Sequence, residues 1–169
     1  MTTGIPAVLS LGSNFGDRER TLRAAVADIA ALPGVTVDAS SGIIETGAIK
    51  PAGVDDSAPP YLNAVVRVTT RLEARELLAA LAAIELDHGR IRQERWGDRT
   101  LDIDIITFGD LRQGDPALTL PHPRAAERSF VLVPWLEIDP DATLPGFGRI
   151  DALPAAAQSV SRYPAEDLS

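Results

Sequence analysis

Two aspartates stand among the most apolar residues of the chain. Asp102 and Asp104 lie in the run "LDIDII", which has the composition of a buried β-strand. Because alternate strand residues share a face, the two carboxylates are expected side by side, about 7 Å apart along the backbone. Leu101, Ile103 and Ile105 then face the core. Neighbouring like charges repel unless a cation lies between them, and carboxylate oxygens at this spacing suit Mg²⁺. A strand with one solvated face explains the same pattern, so these residues alone leave both interpretations open.

A cluster of arginines leads directly into this strand. The segment "GRIRQERWGDR" carries Arg90, Arg92, Arg95 and Arg99 in a chain whose net charge is −8. Most charge runs are solvated loops, but Trp96 is unusual in a loop that serves only solvation. Guanidinium groups bind phosphate oxygens in a bidentate way. Arginines followed by paired carboxylates therefore predict a Mg-nucleotide site, in which the arginines neutralise phosphates that the metal bridges.

The glycines near the start do not form a known phosphate loop. "GSNFGD" at residues 12–17 follows a predicted strand and opens a predicted helix. It lacks the G-x-x-x-x-G-K-[ST] order, and Lys50, the only lysine, lies elsewhere. The dinucleotide fingerprint is absent as well. A tight strand-to-helix turn is the favoured interpretation of this glycine pair.

Aromatic and amide side chains indicate a second substrate. Tyr61 and Asn63 share one face of a predicted strand, and with Phe130 they offer stacking rings and a hydrogen-bonding amide. This combination suits a flat heterocycle, although each residue also has an ordinary structural explanation. His122, in the rigid "LPHP" turn, either donates to a phosphate or caps the loop. His88, in a last helical turn, complements the helix dipole.

The elements that must position these residues follow from hydrophobic periodicity. The predicted strands are 7–12, 35–40, 61–70 and 101–108, and the predicted helices run from Asp17 to the Pro33-Gly34 stop and over 73–89. Residues 130–138 indicate a further strand or short apolar segment, and residues 47–60 a mobile loop. The order β-α-β-β-α-β predicts an α+β, ferredoxin-like fold, an antiparallel sheet with helices packed on it. We expect one domain over 1–169, with a poorly defined tail from about residue 150.

Composition narrows the class of protein. A hydrophobic fraction of 45% with 24% charged residues is typical of a globular chain, and the net acidity argues against nucleic acid as a partner. The chain has no cysteine, which excludes disulfides and thiolate chemistry. Neither a signal peptide nor a membrane-length apolar segment is recognisable. We therefore expect a cytoplasmic protein that does not bind membranes.

Four blocks together resemble the 6-hydroxymethyl-7,8-dihydropterin pyrophosphokinase family of folate biosynthesis. They are "LSLGSNFGDR", "YLNAVV", "RWGDRTLDIDI" and "LPHPRAAERSFVLVPWLEI". They occur in the family's order, and the resemblance spans roughly residues 8 to 146. The resemblance implies a ferredoxin-like fold and transfer of pyrophosphate from ATP to the pterin's hydroxymethyl oxygen, with release of AMP. It also implies two Mg²⁺ ions, with ATP and the pterin as small-molecule substrates. We expect a monomer.

The resemblance also implies roles for individual residues. Asp102 and Asp104 match the two-magnesium ligands, and together with Arg90 and Arg92 they match the catalytic set. The pterin-binding positions are Thr46, Tyr61, Asn63, Asp102 and Phe130. The ATP-binding positions are Glu85, Arg90, Arg92, Trp96, Arg99, Ile105, His122 and Arg128. Two departures stand out: the proline pair usual after Thr46 is absent, and Ala117 replaces an arginine that some members carry near the nucleotide.

Two other functions are compatible with the residues. One is a Mg-dependent phosphotransferase with a different acceptor, which would bind a triphosphate but not need the pterin residues. The other is a non-catalytic ferredoxin-like binding module, which would not need Asp102 or Asp104.

Overall fold

A computed structural model describes residues 4–14, 16–46, 49–50, 53–54, 60–88 and 101–163. The strands within these residues are β1 (Ile5–Ser13), β2 (Val35–Ser40), β3 (Ile44–Thr46), β4 (Ile49–Lys50), β5 (Gly53–Val54), β6 (Tyr61–Thr70), β7 (Asp102–Phe108), β8 (Gln113–Asp115), β9 (Leu118–Leu120), β10 (Thr143–Leu144), β11 (Gly148–Arg149) and β12 (Ser161–Arg162). The α-helices are α1 (Arg18–Ala30), α2 (Ala74–Asp87) and α3 (Ser129–Ile138), and short 3₁₀ turns occupy Ala125–Glu127, Ile150–Ala152 and Pro154–Ala157.

The main sheet has the strand order β12-β3-β6-β1-β7, and β2 pairs with β6 beyond the end of β3. All of these pairs are antiparallel. Consequently β1 and β2 run in the same direction with β6 between them, and β6 and β7 do so with β1 between them. Helices α1 and α2 connect these two split pairs. This arrangement confirms the predicted α+β, ferredoxin-like fold.

The first two helices begin where the sequence predicts, and α1 ends before the predicted Pro33-Gly34 stop. The Asp17 carboxylate accepts a hydrogen bond from the Arg20 N–H at 3.2 Å and so caps the start of α1. At the start of α2 the Glu73 N–H donates to the Glu76 carboxylate at 2.9 Å. Gly34, which follows α1, has φ +81°, a conformation that glycine adopts without strain. The predicted stop at Gly89 lies outside the described residues.

Helices cover both faces of the sheet. On one face α1 and α2 bury residues of β1, β6 and β7, including Leu9, Val66 and Ile103. On the other face α3 packs against Val8 and Val65. The sheet is therefore the middle layer of three, and two separate apolar clusters hold it. Among the described residues, none of the helices is long and apolar enough to cross a bilayer.

Residues 130–138 are helical, so the strand prediction for them was wrong. They belong to α3, which begins at Ser129 and continues through Pro134 to Ile138. A short run of aromatic and β-branched residues carries no helical period, so local propensity could not separate helix from strand. Burial against the sheet decides the outcome, since Leu132 and Trp135 are almost fully buried there.

A bulge interrupts β7 after the two aspartates. Val8 pairs with Thr107 and Leu9 pairs with Ile105, which leaves Ile106 as the extra residue. Ile105 packs with the α1 and α2 cluster, and Ile106 packs with α3. The predicted orientation of Ile105 toward the core is therefore confirmed.

Candidate functional site

Three of the predicted site residues, Asn63, Asp102 and Asp104, lie on one face of three neighbouring strands. Gly12 on β1 pairs with Asn63 on one side and with Asp102 on the other, and Ser10 pairs with Asp104. Directly paired residues share a face, so Asn63 and both aspartates point to the same side of the sheet. Helix α3 packs on this face against Val8 and Val65. Asn63, Gly12 and Asp102 form the next row of the same face, beyond the row of Val65, Ser10 and Asp104.

Gly12 permits the close packing at the centre of this face. A methyl group at this position would lie 3.1 Å from the Asn63 side-chain oxygen and 3.4 Å from the Tyr61 ring. Gly12 was predicted both as the last residue of the strand 7–12 and as part of a strand-to-helix turn. The turn interpretation was wrong for this residue, because Gly12 lies inside β1. Gly16, with φ +73°, does lie between β1 and α1. No signal in the sequence alone separates a turn glycine from one that admits neighbouring side chains.

A hydrogen bond fixes the orientation of the Asn63 amide. Asn63 is 4% exposed, and its Nδ2 donates to the Thr46 hydroxyl at 2.8 Å. Thr46 lies opposite Tyr61 in the β3–β6 pair. Thr46 is thus hydrogen-bonded to Asn63 and paired with Tyr61, which links three of the predicted pterin residues.

Arg18 supports the site, although no sequence pattern indicated it. Its guanidinium donates to the Pro60 carbonyl at 2.7 Å and to the Glu45 carboxylate at 3.4 Å. Glu45 belongs to β3 and Pro60 immediately precedes β6. Arg18 therefore joins the start of α1 to β3, which carries Thr46, and to β6, which carries Tyr61 and Asn63.

His122 lies next to the second aspartate. The His122 backbone N–H donates to the Ile106 carbonyl at 2.9 Å, and this bond places the residue beside β7. The ring Nδ1 accepts the Arg124 N–H at 3.2 Å, so the neutral ring carries its hydrogen on Nε2, 4.0 Å from the Asp104 carboxylate. Burial lowers the pKa of His122; Asp104 opposes this shift, while Arg128 and Arg124 add to it. A neutral imidazole with an Nε2–H donor is a suitable ligand for an anionic oxygen.

The start of α3 contributes a paired cation and ring. The Arg128 Cζ lies 5.4 Å from the centre of the Phe130 ring, within the range of a cation–π interaction. Arg128 occupies the N-cap position of α3, and Phe130 is partly buried against the α3 cluster. The ring and the guanidinium are both held at the helix end, although no sequence pattern indicated this pairing.

Glu85 and Ile105, two of the predicted ATP-binding residues, are both buried. Glu85 is 8% exposed, and its carboxylate accepts the Ile103 backbone N–H of β7 at 2.8 Å. The Ile105 side chain is 3% exposed within the α1 and α2 cluster. Contact between ATP and Ile105 would therefore use its backbone. The nucleotide roles of both residues stay predictions.

Four predicted nucleotide residues, Arg90, Arg92, Trp96 and Arg99, lie outside the described residues. Their roles, including the catalytic roles of the first two, stay predictions. The described residues before this segment end at residue 88, just after α2. Those after it begin at residue 101, directly before Asp102. The predicted arginine segment is thus attached to the same strand that carries the carboxylates.

The carboxylates suit a magnesium ion that is shared with a phosphate. The described part of the chain contains no group of three or more acidic or histidine side chains arranged around one metal position. Asp104 is about half exposed, with 47% of its side-chain surface accessible, and Asp102 is partly buried. Mg²⁺ binds well to one or two carboxylates when waters and phosphate oxygens supply the remaining ligands. The residues present therefore fit a metal that enters with its nucleotide.

Comparison with known proteins decides the family. The family model for 7,8-dihydro-6-hydroxymethylpterin-pyrophosphokinase matches residues 8–140, most of the chain. The chain belongs to this family. The residues that match the pterin pyrophosphokinase model include all of the described site residues, and the match ends two residues after α3.

Bacterial relatives support the same family. The chain is 46% identical to the 2-amino-4-hydroxy-6-hydroxymethyldihydropteridine pyrophosphokinase of Bacillus subtilis, over 78% of this chain and 77% of the relative. The corresponding enzyme of Synechocystis sp. is 41% identical over 85% of this chain and 71% of its own length. That of Pseudomonas aeruginosa is 36% identical over 92% and 95%.

Longer proteins share the fold. The Plasmodium falciparum HPPK-DHPS structure with pterin and p-hydroxybenzoate has a TM-score of 0.68 at 16% identity. It covers 90% of this chain, which spans 42% of the longer one. At this identity the likeness supports the fold alone.

Family membership confirms the predicted activity. The protein is an ATP-dependent pyrophosphokinase that transfers pyrophosphate to hydroxymethyldihydropterin in folate synthesis. A divalent metal is expected with ATP in such an enzyme. The number of ions and the role of each residue stay predictions.

Proposed function

We propose that Asp102 and Asp104 hold two Mg²⁺ ions against ATP while Tyr61, Asn63 and Phe130 hold the pterin for attack on the β-phosphorus. The hydroxymethyl oxygen forms a bond to that phosphorus, and the bond from the β-phosphorus to the oxygen shared with the α-phosphate breaks. AMP leaves with that oxygen, and the hydroxyl proton is released. The pterin carries the diphosphate.

The cross-strand register at Gly12 carries this proposal. Asn63 and Asp102 lie on either side of Gly12, so their backbones are separated by two strand spacings, about 10 Å. A pterin bound at Asn63 would extend its hydroxymethyl arm toward a phosphate bound at the aspartates. Positioning of this kind supplies much of the rate enhancement in phosphoryl transfer.

Stacking and hydrogen bonding would orient the pterin. The rings of Tyr61 and Phe130 provide flat apolar surfaces, and the Asn63 amide, held by Thr46, offers its remaining groups to the edge of the heterocycle. The backbone of Thr46 and the Asp102 carboxylate complete the proposed pterin contacts.

Cationic and neutral donors would bind the phosphates. The Nε2–H of His122 faces the position beside Asp104, and Arg128 stands at the start of α3. Bound Mg²⁺ supplies charge neutralisation of the triphosphate. Arg90 and Arg92 are proposed to add guanidinium contacts during transfer. The remaining proposed ATP contacts are Glu85, Trp96, Arg99 and Ile105.

The nucleotide product tests this proposal. The protein is incubated with ATP, Mg²⁺ and 6-hydroxymethyl-7,8-dihydropterin, and the nucleotides are separated by ion-exchange chromatography. We expect AMP in equal amount to the pterin diphosphate, and no AMP when 6-methyl-7,8-dihydropterin, which lacks the attacking oxygen, replaces the substrate. ADP would instead indicate a phosphotransferase that moves one phosphate, and no product would indicate a binding module. A monomeric state and a cytoplasmic location stay predictions, to be checked by light scattering and cell fractionation.

A further inference from the structure

The short strand β12 covers the outer edge of β3. Ser161 pairs with Glu45, Arg162 pairs with Ile44, and the Tyr163 N–H donates to the Ile43 carbonyl at 3.1 Å. Without β12, the three-residue β3 would be an edge strand with one row of unpaired backbone groups. β12 lies beyond residue 140, where the family match ends. The family resemblance therefore assigns this segment no role.

β3 positions residues of the proposed pterin site. On its inner edge Ile44 pairs with Asn63 and Thr46 pairs with Tyr61. The Thr46 hydroxyl accepts the hydrogen bond that orients the Asn63 amide. A shift of β3 would therefore move the Thr46 backbone and release Asn63, even though neither residue touches β12 in the strand pairing.

β12 also contacts the helix that carries Phe130. Arg162 forms an ion pair with Glu137 near the end of α3. Phe130 lies in the first turn of the same helix, seven residues earlier, or about 10 Å along its axis. The Tyr163 ring packs against the cluster under α1 and α2. One segment thus joins β3, which carries Thr46, to α3, which carries Phe130.

We propose that β12 is a positioning element for pterin binding, which holds β3 and α3 at the separation that the heterocycle requires. This inference rests on the proposed pterin site. The physical reason is that a strand of three residues, bonded on one edge only, opens locally at little cost in free energy. Pairing on the second edge keeps the Thr46 backbone and the Asn63 amide in their binding arrangement before the pterin arrives. Pre-ordering of this kind increases affinity without adding a contact to the ligand.

A proline substitution within β12 tests the inference. Because the Tyr163 N–H points to β3, the alternation of an antiparallel pair directs the Ser161 N–H to Glu45 as well. Ser161→Pro removes that donor. The matched control is Ser159→Pro, an exposed position before β12. Gln158, which precedes it, already has φ −75° and ψ 146°, the conformation that a following proline favours.

Binding and turnover are measured for both variants in the full chain. We expect Ser161→Pro to weaken pterin binding, in the presence of Mg²⁺ and a non-hydrolysable ATP analogue, about tenfold. The Kd of the ATP analogue should stay at the wild-type value, and kcat should recover at saturating pterin. Ser159→Pro should match the wild type in all three quantities. A general loss of structure would instead weaken both ligands and lower kcat.

The ion pair provides a milder second variant. Arg162→Gln should raise the pterin Kd about two- to threefold, as expected for loss of an exposed ion pair, and Arg162→Lys should restore it. Hydrogen–deuterium exchange of the peptide that contains Glu45 and Thr46 gives a readout independent of ligands. Exchange there should be faster in Ser161→Pro and unchanged in Ser159→Pro.

Two outcomes would overturn the inference. One is a wild-type pterin Kd in Ser161→Pro despite faster exchange in β3, and the other is unchanged exchange in that variant. Failure of the proposed function has a different signature, because the wild type itself would then form no AMP. If the wild type forms AMP and Ser161→Pro binds pterin normally, only the role of β12 is wrong.

Discussion

At the scale of single residues, the carboxylate pair is the feature on which the chemistry depends. Asp104 is half exposed, and among the described residues its carboxylate has one ionic neighbour, His122, at 4.0 Å. A residue in this position contributes little to stability. A substitution that keeps the shape of the side chain but removes its charge should therefore separate a catalytic role of Asp104 from a structural one.

We expect Asp104→Asn to reduce kcat at least about a hundredfold, because the amide cannot hold Mg²⁺ against the triphosphate. The free energy of unfolding in urea should change by less than about 0.5 kcal/mol. Asp110→Asn, in the exposed turn after β7, is the matched control and should keep wild-type turnover. Retention of activity in Asp104→Asn would contradict the assigned role.

We expect the absence of a side chain at Gly12 to leave the space that the Asn63 amide and the Tyr61 ring occupy in the pterin site. Gly12→Ala would displace the Asn63 amide and the Tyr61 ring, and should raise the pterin KM about tenfold. Gly114→Ala adds the same methyl group where no atom lies within 4 Å, and should change nothing. Equal pterin KM values for the two variants, measured in steady-state assays, would show that the contact at Gly12 is irrelevant.

The sequence was informative for those residues whose chemistry is local. Two aspartates at strand spacing predict a shared face from the pleat alone, and the β1–β7 register places them on one. The position of Gly12 between Asn63 and Asp102 depends on three strands meeting, which no local pattern encodes. The support from Arg18 and the pairing of Arg128 with Phe130 depend on tertiary contacts in the same way.

At the scale of elements, β7 needs a partner for its outer edge. The buried carboxylate of Glu85 on α2 accepts the Ile103 N–H there. A helix side chain therefore satisfies a backbone donor at the edge of the sheet that the described strands form. This contact also fixes α2 relative to the strand that carries the aspartates.

We expect Glu85→Ala to lower the free energy of unfolding by about 2 kcal/mol, because it leaves a buried N–H without its acceptor. Glu85→Gln keeps an acceptor oxygen and should cost less. Asp87→Ala, exposed at the end of the same helix, is the control and should leave stability nearly unchanged. Urea unfolding monitored by circular dichroism gives all three values, and equal stability for the alanine variants would contradict the capping role.

The elements themselves were partly predictable. Helices α1 and α2 were predictable because their caps and their spacing of apolar residues agree with each other. Helix α3 was not, since its composition suits a strand and its helical form depends on packing against the sheet. The strand β12 has only two residues and forms by pairing with β3, so its own sequence does not predict it.

At the scale of the whole molecule, charge is the main obstacle to binding ATP. The net charge of −8 opposes a triphosphate, and the two aspartates increase that repulsion until a cation binds. We therefore expect metal to be required for nucleotide binding as well as for transfer. The single domain over 1–169 stays a prediction, although the sheet and its two apolar clusters involve residues from β1 to the last described strand.

Calorimetry with a non-hydrolysable ATP analogue tests this requirement. We expect the wild type to bind at least about tenfold more weakly in EDTA than in Mg²⁺. The variant with both Asp102→Asn and Asp104→Asn should lose this difference and should bind the metal-free analogue no more weakly than the wild type, since two repelling charges are gone. Preserved magnesium dependence in the variant would indicate that other residues hold the metal.

The most direct test of the central claim is anomalous diffraction from crystals grown with Mn²⁺, a non-hydrolysable ATP analogue and the pterin. We predict two manganese peaks between the carboxylates of Asp102 and Asp104 and the phosphate oxygens. The β-phosphorus should face the hydroxymethyl oxygen of a pterin held at Asn63. A bound nucleotide with its manganese ions elsewhere, and both carboxylates without metal, would contradict the proposed mechanism.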